Sequence, residues 1–124
     1  NCIITGRRKE RLDTIATDLQ TKYSIQALSL VFDVQDRKTV TDTLSNLPKE
    51  WQAIDILVNN AGLALGRDSF ENANLDDWDT MMDSNVKGLM YVTKAIIPFM
   101  ISRKKGHIIN IGSTAGKEVY KDRN

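Results

Sequence analysis

Ile54-Asp55-Ile56-Leu57-Val58-Asn59-Asn60-Ala61-Gly62 is a short apolar run that empties into a turn. Its first part, 54–58, lacks the apolar–polar alternation of a half-buried strand. It is therefore expected to be a strand buried on both faces, as in a parallel sheet covered by helices. Asn-Asn-Ala-Gly is turn chemistry and ends it. In an open α/β sheet, ligands bind beyond the carboxyl ends of the strands. The turn at 59–62 is thus a candidate rim.

Working outward, the same alternation of periods recurs. Residues 2–5 are a short β-rich run stopped by Gly6, and Leu12, Ile15, Ala16 and Leu19 then mark one face of a helix from about Arg8 to Lys22. Residues 27–32 form a second strand ending at Asp33-Val34. Asp36 suits a helix N-cap, Val40, Leu44 and Leu47 give that helix its apolar face, and Pro48 ends it. Beyond the opening stretch a loop runs to about Asn74, which with Asp77 resembles a capping box. Trp78, Met82, Val86, Leu89, Thr93, Ile97 and Met100 hold one stripe of a long helix reaching about Arg103, with Pro98 near its last turns. Lys104, Lys105 and Gly106 close it, the cations suiting the dipole and the glycine the C-cap. Residues 107–111 are a fourth strand, and Gly112-Ser113 follow it, placing Ser113 at the rim. The order β-α-β-α-β-α-β predicts an α/β fold: part of a doubly wound, Rossmann-type parallel sheet in one domain over 1–124.

The bulk numbers narrow the function classes. The chain has 124 residues, with 41% hydrophobic and 27% charged side chains, ordinary for a globular domain. A formal net charge of +1 argues for neither a nucleic-acid nor a membrane partner. Its apolar stretches fall short of the ~20 residues that span a bilayer. The single cysteine, Cys2, has no internal disulfide partner and reads as packing in a reducing cytoplasm. The chain opens at Asn1 without a charged-then-apolar leader, so a cytoplasmic location is expected. Both ends are expected to be internal to a longer chain. His107 reads as a surface residue at a strand start, Met82, Met90 and Met100 as core or subunit contacts, and Lys121-Asp122-Arg123 as a solvated loop.

Two charges stand in an unusual place. Arg7 and Arg8 begin the first helix, where cations oppose the helix dipole at roughly 0.3–1 kcal/mol each when exposed. First-turn amides with two guanidinium groups make a phosphate-shaped site. In a dinucleotide fold this strand end faces the adenosine ribose, where an acid reads a 2′-hydroxyl and an arginine accommodates a 2′-phosphate. Gly6 occupies the acidic slot and Arg7 follows it, which predicts NADP(H) over NAD(H).

Five stretches in this order resemble the short-chain dehydrogenase/reductase family: Thr5-Gly6-Arg7-Arg8, Asp33-Val34, Asn59-Asn60-Ala61-Gly62, Asn85-Val86-Lys87-Gly88 and Asn110-Ile111-Gly112-Ser113. The resemblance implies family strands 2 to 5 with their helices. It implies that Asp33 bonds the adenine amino group with Val34 beside it, and that Asn59, Ala61 and Gly62 line the cofactor groove near the nicotinamide ribose. It implies Ser113 as the catalytic serine on the substrate oxygen, and Asn85 as the helix asparagine whose carbonyl holds a relay water. The parent is expected to move hydride between NADP(H) and a secondary alcohol or ketone, on the branch acting on serine and other 3-hydroxy acids. It is expected to be a homo-tetramer or homo-dimer through the helix carrying Asn85 and the helix after it. A reductase of a sugar, steroid or acyl-carrier-bound ketone, and a non-catalytic NADP-binding sensor, are the alternatives; retention of Ser113 and Asn85 weighs against the sensor.

The family's glycine-rich turn, expected before residue 1, does not occur in these residues. Its first strand, which would join the two strand pairs, goes with it. The family's tyrosine and lysine are expected at positions 126 and 130, beyond Asn124; Tyr120 lies only seven residues after Ser113, with no lysine four residues on. The 124-residue polypeptide by itself is therefore expected to lack dehydrogenase activity and to be poorly stable. NADPH-dependent carbonyl reduction by this polypeptide, or a cooperative thermal melt, would overturn that expectation.

Overall fold

The computed structural model describes residues 1–66 and 68–117. Tyr120 and the Lys121-Asp122-Arg123 run lie outside the described residues. Strand β1 (Cys2–Gly6), helix α1 (Lys9–Tyr23), β2 (Ala27–Val31) and α2 (Arg37–Ser45) form the first half. The second half holds β3 (Ile56–Asn59), α3 (Leu75–Met82), a π-helical turn (Asp83–Gly88), α4 (Leu89–Arg103) and β4 (His107–Asn110). Among the described residues the strands make two separate parallel pairs. β1 lies on β2 from Cys2↔Ala27 to Gly6↔Val31. β3 lies on β4 from Ile56↔His107 to Asn59↔Asn110. Two pairs with no strand between them are what the missing first family strand leads one to expect.

Helices cover both sides of the first pair. Successive strand residues point to opposite faces. On the Ser29 face sits α1, with buried Leu12 and Ala16; the Ser29 hydroxyl donates to the Leu12 carbonyl at 3.4 Å. On the Leu28 and Leu30 face lies the main core of Phe32, Val40, Leu44, Leu47, Ile96 and Met100, brought by the loop after β2, α2 and α4. Leu57 and Ile108 of the second pair pack against the same core. Each fully buried side chain of this size contributes about 1.5–3 kcal/mol relative to an exposed one. Val40, Leu44 and Leu47 are thus the face read from sequence. Asp36 caps α2 as expected, its carboxylate accepting from the Thr39 N–H at 3.0 Å and the Thr39 hydroxyl at 2.6 Å.

Several expectations need correction. The run at 54–58 is not buried on both faces: Ile56 and Val58 are 59% and 52% exposed. Leu57 and Asn59 face α4, while Ile56, Val58, Ile109 and Ile111 share an open apolar face that no described helix covers. Ile15 of α1 is likewise exposed. The long helix is not uniform, because the π turn interrupts it. Met82, Val86 and Met90 are exposed; the buried residues of its first half are Ser84 and Gly88. Periodicity counted over apolar residues points past that face, because two small residues form it. Asn74 caps α3 through the Asp76 N–H, at 3.0 Å, and not through Asp77. The left-handed residue after α4 is Lys104, φ 54°, rather than Gly106. Gly106 is glycine for space: a Cβ there would lie 2.5 Å from Met100 Sδ.

The end of α4 is tied to the start of β3. Arg103 Nη2 meets Asp55 Oδ1 at 2.8 Å, Arg103 Nη1 donates to the Ile54 carbonyl at 3.0 Å, and Lys105 Nζ lies 3.1 Å from the same carboxylate oxygen. The Arg103 hydrogen bond, then that of Lys105 and its charge, hold the Asp55 carboxyl below its ordinary value. A depressed carboxyl stabilises the fold above its unfolded pKa of about 3.9, and that contribution is lost as pH falls through the folded value. Thermal melts of the full-length protein and its Asp55→Asn variant should differ at pH 7 and begin to converge only as pH falls below about 4. A gap independent of pH would show that the charge is not what holds this corner.

Candidate functional site

The loops that leave the carboxyl ends of β1, β2 and β3 gather on one side. Arg7 and Arg8 follow β1, and Arg8 stands at the N-cap of α1 without a side-chain cap bond. Asp33 and Val34 follow β2. Arg7 Nη1 reaches Asp33 Oδ2 at 3.5 Å across the two strand ends, with the Arg7 side chain 67% exposed. An open pair of this kind is worth about 0–1 kcal/mol, so a bound anion displaces it at little cost. The other Asp33 oxygen accepts from the Gln35 N–H at 3.1 Å, which fixes the carboxylate against its own loop.

The π turn holds these loops. Val34 lies against Gly88 so closely that a Cβ there would sit 2.8 Å from Val34 Cγ2 and 3.2 Å from its carbonyl oxygen. Gln35 Nε2 donates to the hydroxyl of Ser84 at 2.5 Å, and Ser84 is 4% exposed. On the same turn Asn85 grips the loop after β3 twice. The Leu63 N–H donates to Asn85 Oδ1 at 2.9 Å, and Asn85 Nδ2 donates to the Leu63 carbonyl at 2.8 Å. Gly62 is packed beneath this clamp, where a Cβ would meet Asn85 Oδ1 at 3.3 Å. Ala61 and Gly62 are exposed along the rim. A π turn carries one residue more than an α turn and is frequent at functional sites. Here Lys87 and Asp83 also pair along it at 2.7 Å, the bond to Asp83 holding the Lys87 ammonium above its ordinary pKa.

Two of the residues expected at the site sit apart from this cluster. Asn59 is buried, and its Nδ2 donates to Asn110 Oδ1 at 2.8 Å and to Thr93 Oγ1 at 2.9 Å. Its side chain ties β3, β4 and α4 together, while the turn it begins lies at the rim. Ser113 is exposed after β4 and caps the short turn Thr114–Gly116 by accepting from the Ala115 N–H at 3.2 Å. Accepting there leaves the hydroxyl proton free to donate outward. Sequence reading assigned nothing to Gln35 or Ser84, and gave Thr93 only a place in the stripe of the long helix. A usable signal was the pair of small residues Ser84 and Gly88, four apart and so on one helix face. Among the described residues no group of His, Cys, Asp and Glu is arranged to hold a metal ion. No helix among them is long and apolar enough to cross a membrane.

Parallel strand–helix units with their carboxyl-end loops drawn onto one helix define the Rossmann-type α/β class. Residues 1–123 match the short chain dehydrogenase family, and the chain belongs to it. It is 51% identical over 118 residues to the NADP-dependent 3-hydroxy acid dehydrogenase YdfG of Escherichia coli K12, covering 95% of this chain and 46% of that protein. The chain spans about half the length of the curated relatives it matches. The crystal structure of serine dehydrogenase from Escherichia coli superposes with a TM-score of 0.84 at 48% identity, covering 97% of this chain and 54% of that one. A closed form of serine dehydrogenase complexed with NADP+ matches with the same score and identity, covering 97% of this chain and 47% of that one.

Gly88 is the tightest point of the rim. Alanine has the better helix propensity by about 1 kcal/mol, but its methyl must displace Val34. Gly88→Ala in the full-length protein should therefore destabilise by about 1–3 kcal/mol, read as a lower urea midpoint. A midpoint that rises would show that the loop yields freely.

Proposed function

We propose that these residues are the nucleotide-selecting and substrate-polarising segment of an NADP(H)-dependent oxidoreductase acting on a secondary alcohol or ketone of the 3-hydroxy acid class. The observation that carries this reading is the rim itself. Arg7 and Asp33 meet across two strand ends, and the π turn holds the Asp33 loop and the Gly62 loop on one helix. The names of the relatives support the substrate class and the cofactor. The residues fit the cofactor in three places. Arg7 is an exposed cation whose present partner is weakly held, suited to a 2′-phosphate. Asp33 offers carboxylate acceptors to the adenine amino group beside Val34. Gly62 lets a ligand approach the backbone of the 61–63 loop.

Bound NADP(H) supplies the hydride. The chain's own part is to bind, orient and polarise. Ser113, its oxygen already accepting from Ala115, donates a hydrogen bond to the substrate oxygen on which negative charge builds and keeps its proton. Asn85 fixes the 63 loop with its side chain, and in this reading its backbone carbonyl is the acceptor for a relay water. Arg8 adds a second cation beside the α1 amides. A cytoplasmic homo-dimer or homo-tetramer is part of the same reading: α4 exposes Met90 and Ile101, and an open apolar groove along it is lined by Leu89, Met90, Ile97 and Pro98.

Nucleotide titrations of the full-length protein test it. Arg7→Ala should weaken NADPH binding about 10- to 100-fold, the worth of a charged hydrogen bond, and leave NADH binding nearly unchanged. Equal loss of both nucleotides would remove Arg7 as the reader of the 2′-phosphate.

A further inference from the structure

We propose that Gln35, through its hydrogen bond to buried Ser84, is a positioning residue that sets the adenine-side loop against the π turn. The proposal rests on the cofactor reading above and adds to it a residue that touches no ligand. Gln35 makes two bonds of different kinds. Its backbone N–H holds Asp33 Oδ1 at 3.1 Å, and its side-chain amide holds Ser84 Oγ at 2.5 Å. The carboxylate of Asp33 is thereby linked, through one residue, to the interior of the long helix. Val34 between them is pressed against Gly88. The Gln35 and Asp36 N–H bonds to Asp33 hold the loop to itself, so without the Gln35 side-chain anchor it is that apolar contact and the open Arg7 pair that tie Asp33 to its surroundings. An apolar contact sets distance poorly in the direction along the helix, whereas a hydrogen bond into a buried hydroxyl sets it sharply.

The link has a second arm. Ser84 adjoins Asn85, whose side chain makes both bonds to Leu63. The π turn therefore fixes the loops after β2 and β3 relative to each other with adjacent side chains. Removing the Gln35 bond loosens the first loop and leaves the Asn85 clamp in place. The loss then falls on nucleotide binding and not on the reacting centre, the signature of lost uniform binding. Because the adenine end is common to both nucleotides, NADPH and NADH should suffer alike, unlike the response to Arg7→Ala.

The test uses the full-length protein with Gln35→Met, Ser84→Ala and the double variant. Gln35→Met keeps the length of the side chain and removes its donor. Fluorescence titration should show NADPH and NADH binding weakened about 2- to 12-fold, the range of one neutral hydrogen bond, with KM raised to match and kcat unchanged. The double variant should bind no more weakly than the worse single one, since both remove the same bond. In the cofactor-free protein, amide exchange at residue 35 should quicken while that at Leu63 holds. Additive losses, a fall in kcat without a change in KM, or unchanged exchange at residue 35 would overturn the proposal. If Ser84→Ala does not fold, Gln35→Met with its exchange readout decides alone. Failure of the parent reading looks different: the unmodified protein would then bind neither nucleotide.

Discussion

The rim depends on one close approach, that of Val34 to Gly88. A side chain at 88 would hold the loop after β2 off the helix, and the reach from Gln35 to Ser84 would open with it. Interiors are packed densely enough that such a gap is not absorbed locally. The small residues at 84 and 88 are therefore a fitting surface, and the π turn that carries them directs Asn85 to the neighbouring loop. Two loops that are distant in sequence acquire a common reference.

The long helix is fixed at both ends by different forces. At the rim, neutral hydrogen bonds and contact distance hold it. At the far end, Arg103 and Lys105 meet Asp55 in an open, solvated cluster. Exposed charges contribute little each, but here the Arg103 guanidinium also serves the Ile54 carbonyl, which gives the cluster direction as well as charge. Between the ends, Ile96 and Met100 bury the helix in the core shared with α2.

Much of this was legible from sequence. The strand and helix order, the Asp36 cap and the Val40, Leu44 and Leu47 face follow from period and capping chemistry, which act over a few residues. Of the rim residues, Arg7 was legible from its place at the start of the first helix, and Asp33, Gly62 and Asn85 from motifs that resemble the short-chain dehydrogenase/reductase family. The rest was hidden for physical reasons. Periodicity weighs apolar residues, so a face made by Ser84 and Gly88 leaves no trace in it. A π turn has no composition of its own. Ile56 and Val58 belong to a β-branched run that reads as doubly buried, yet burial is decided by what covers a strand, and no described helix covers that face. Lys104 took the left-handed position because the helix ended before Gly106 was reached, while Gly106 answered to the bulk of Met100.

Asn59 and Asn110 face each other in register at the last step of β3 and β4, joined through one amide that also reaches Thr93. Slip the two strands by one residue and that amide loses Asn110 and meets an isoleucine, Ile109 or Ile111, instead. An unmet buried donor costs roughly 1–3 kcal/mol, and the slip also turns every side chain to the wrong side. The three polar groups thus favour this one register over its neighbours. They reject the near-degenerate alignments that a short, uniformly apolar strand such as Ile-Leu-Val would otherwise accept.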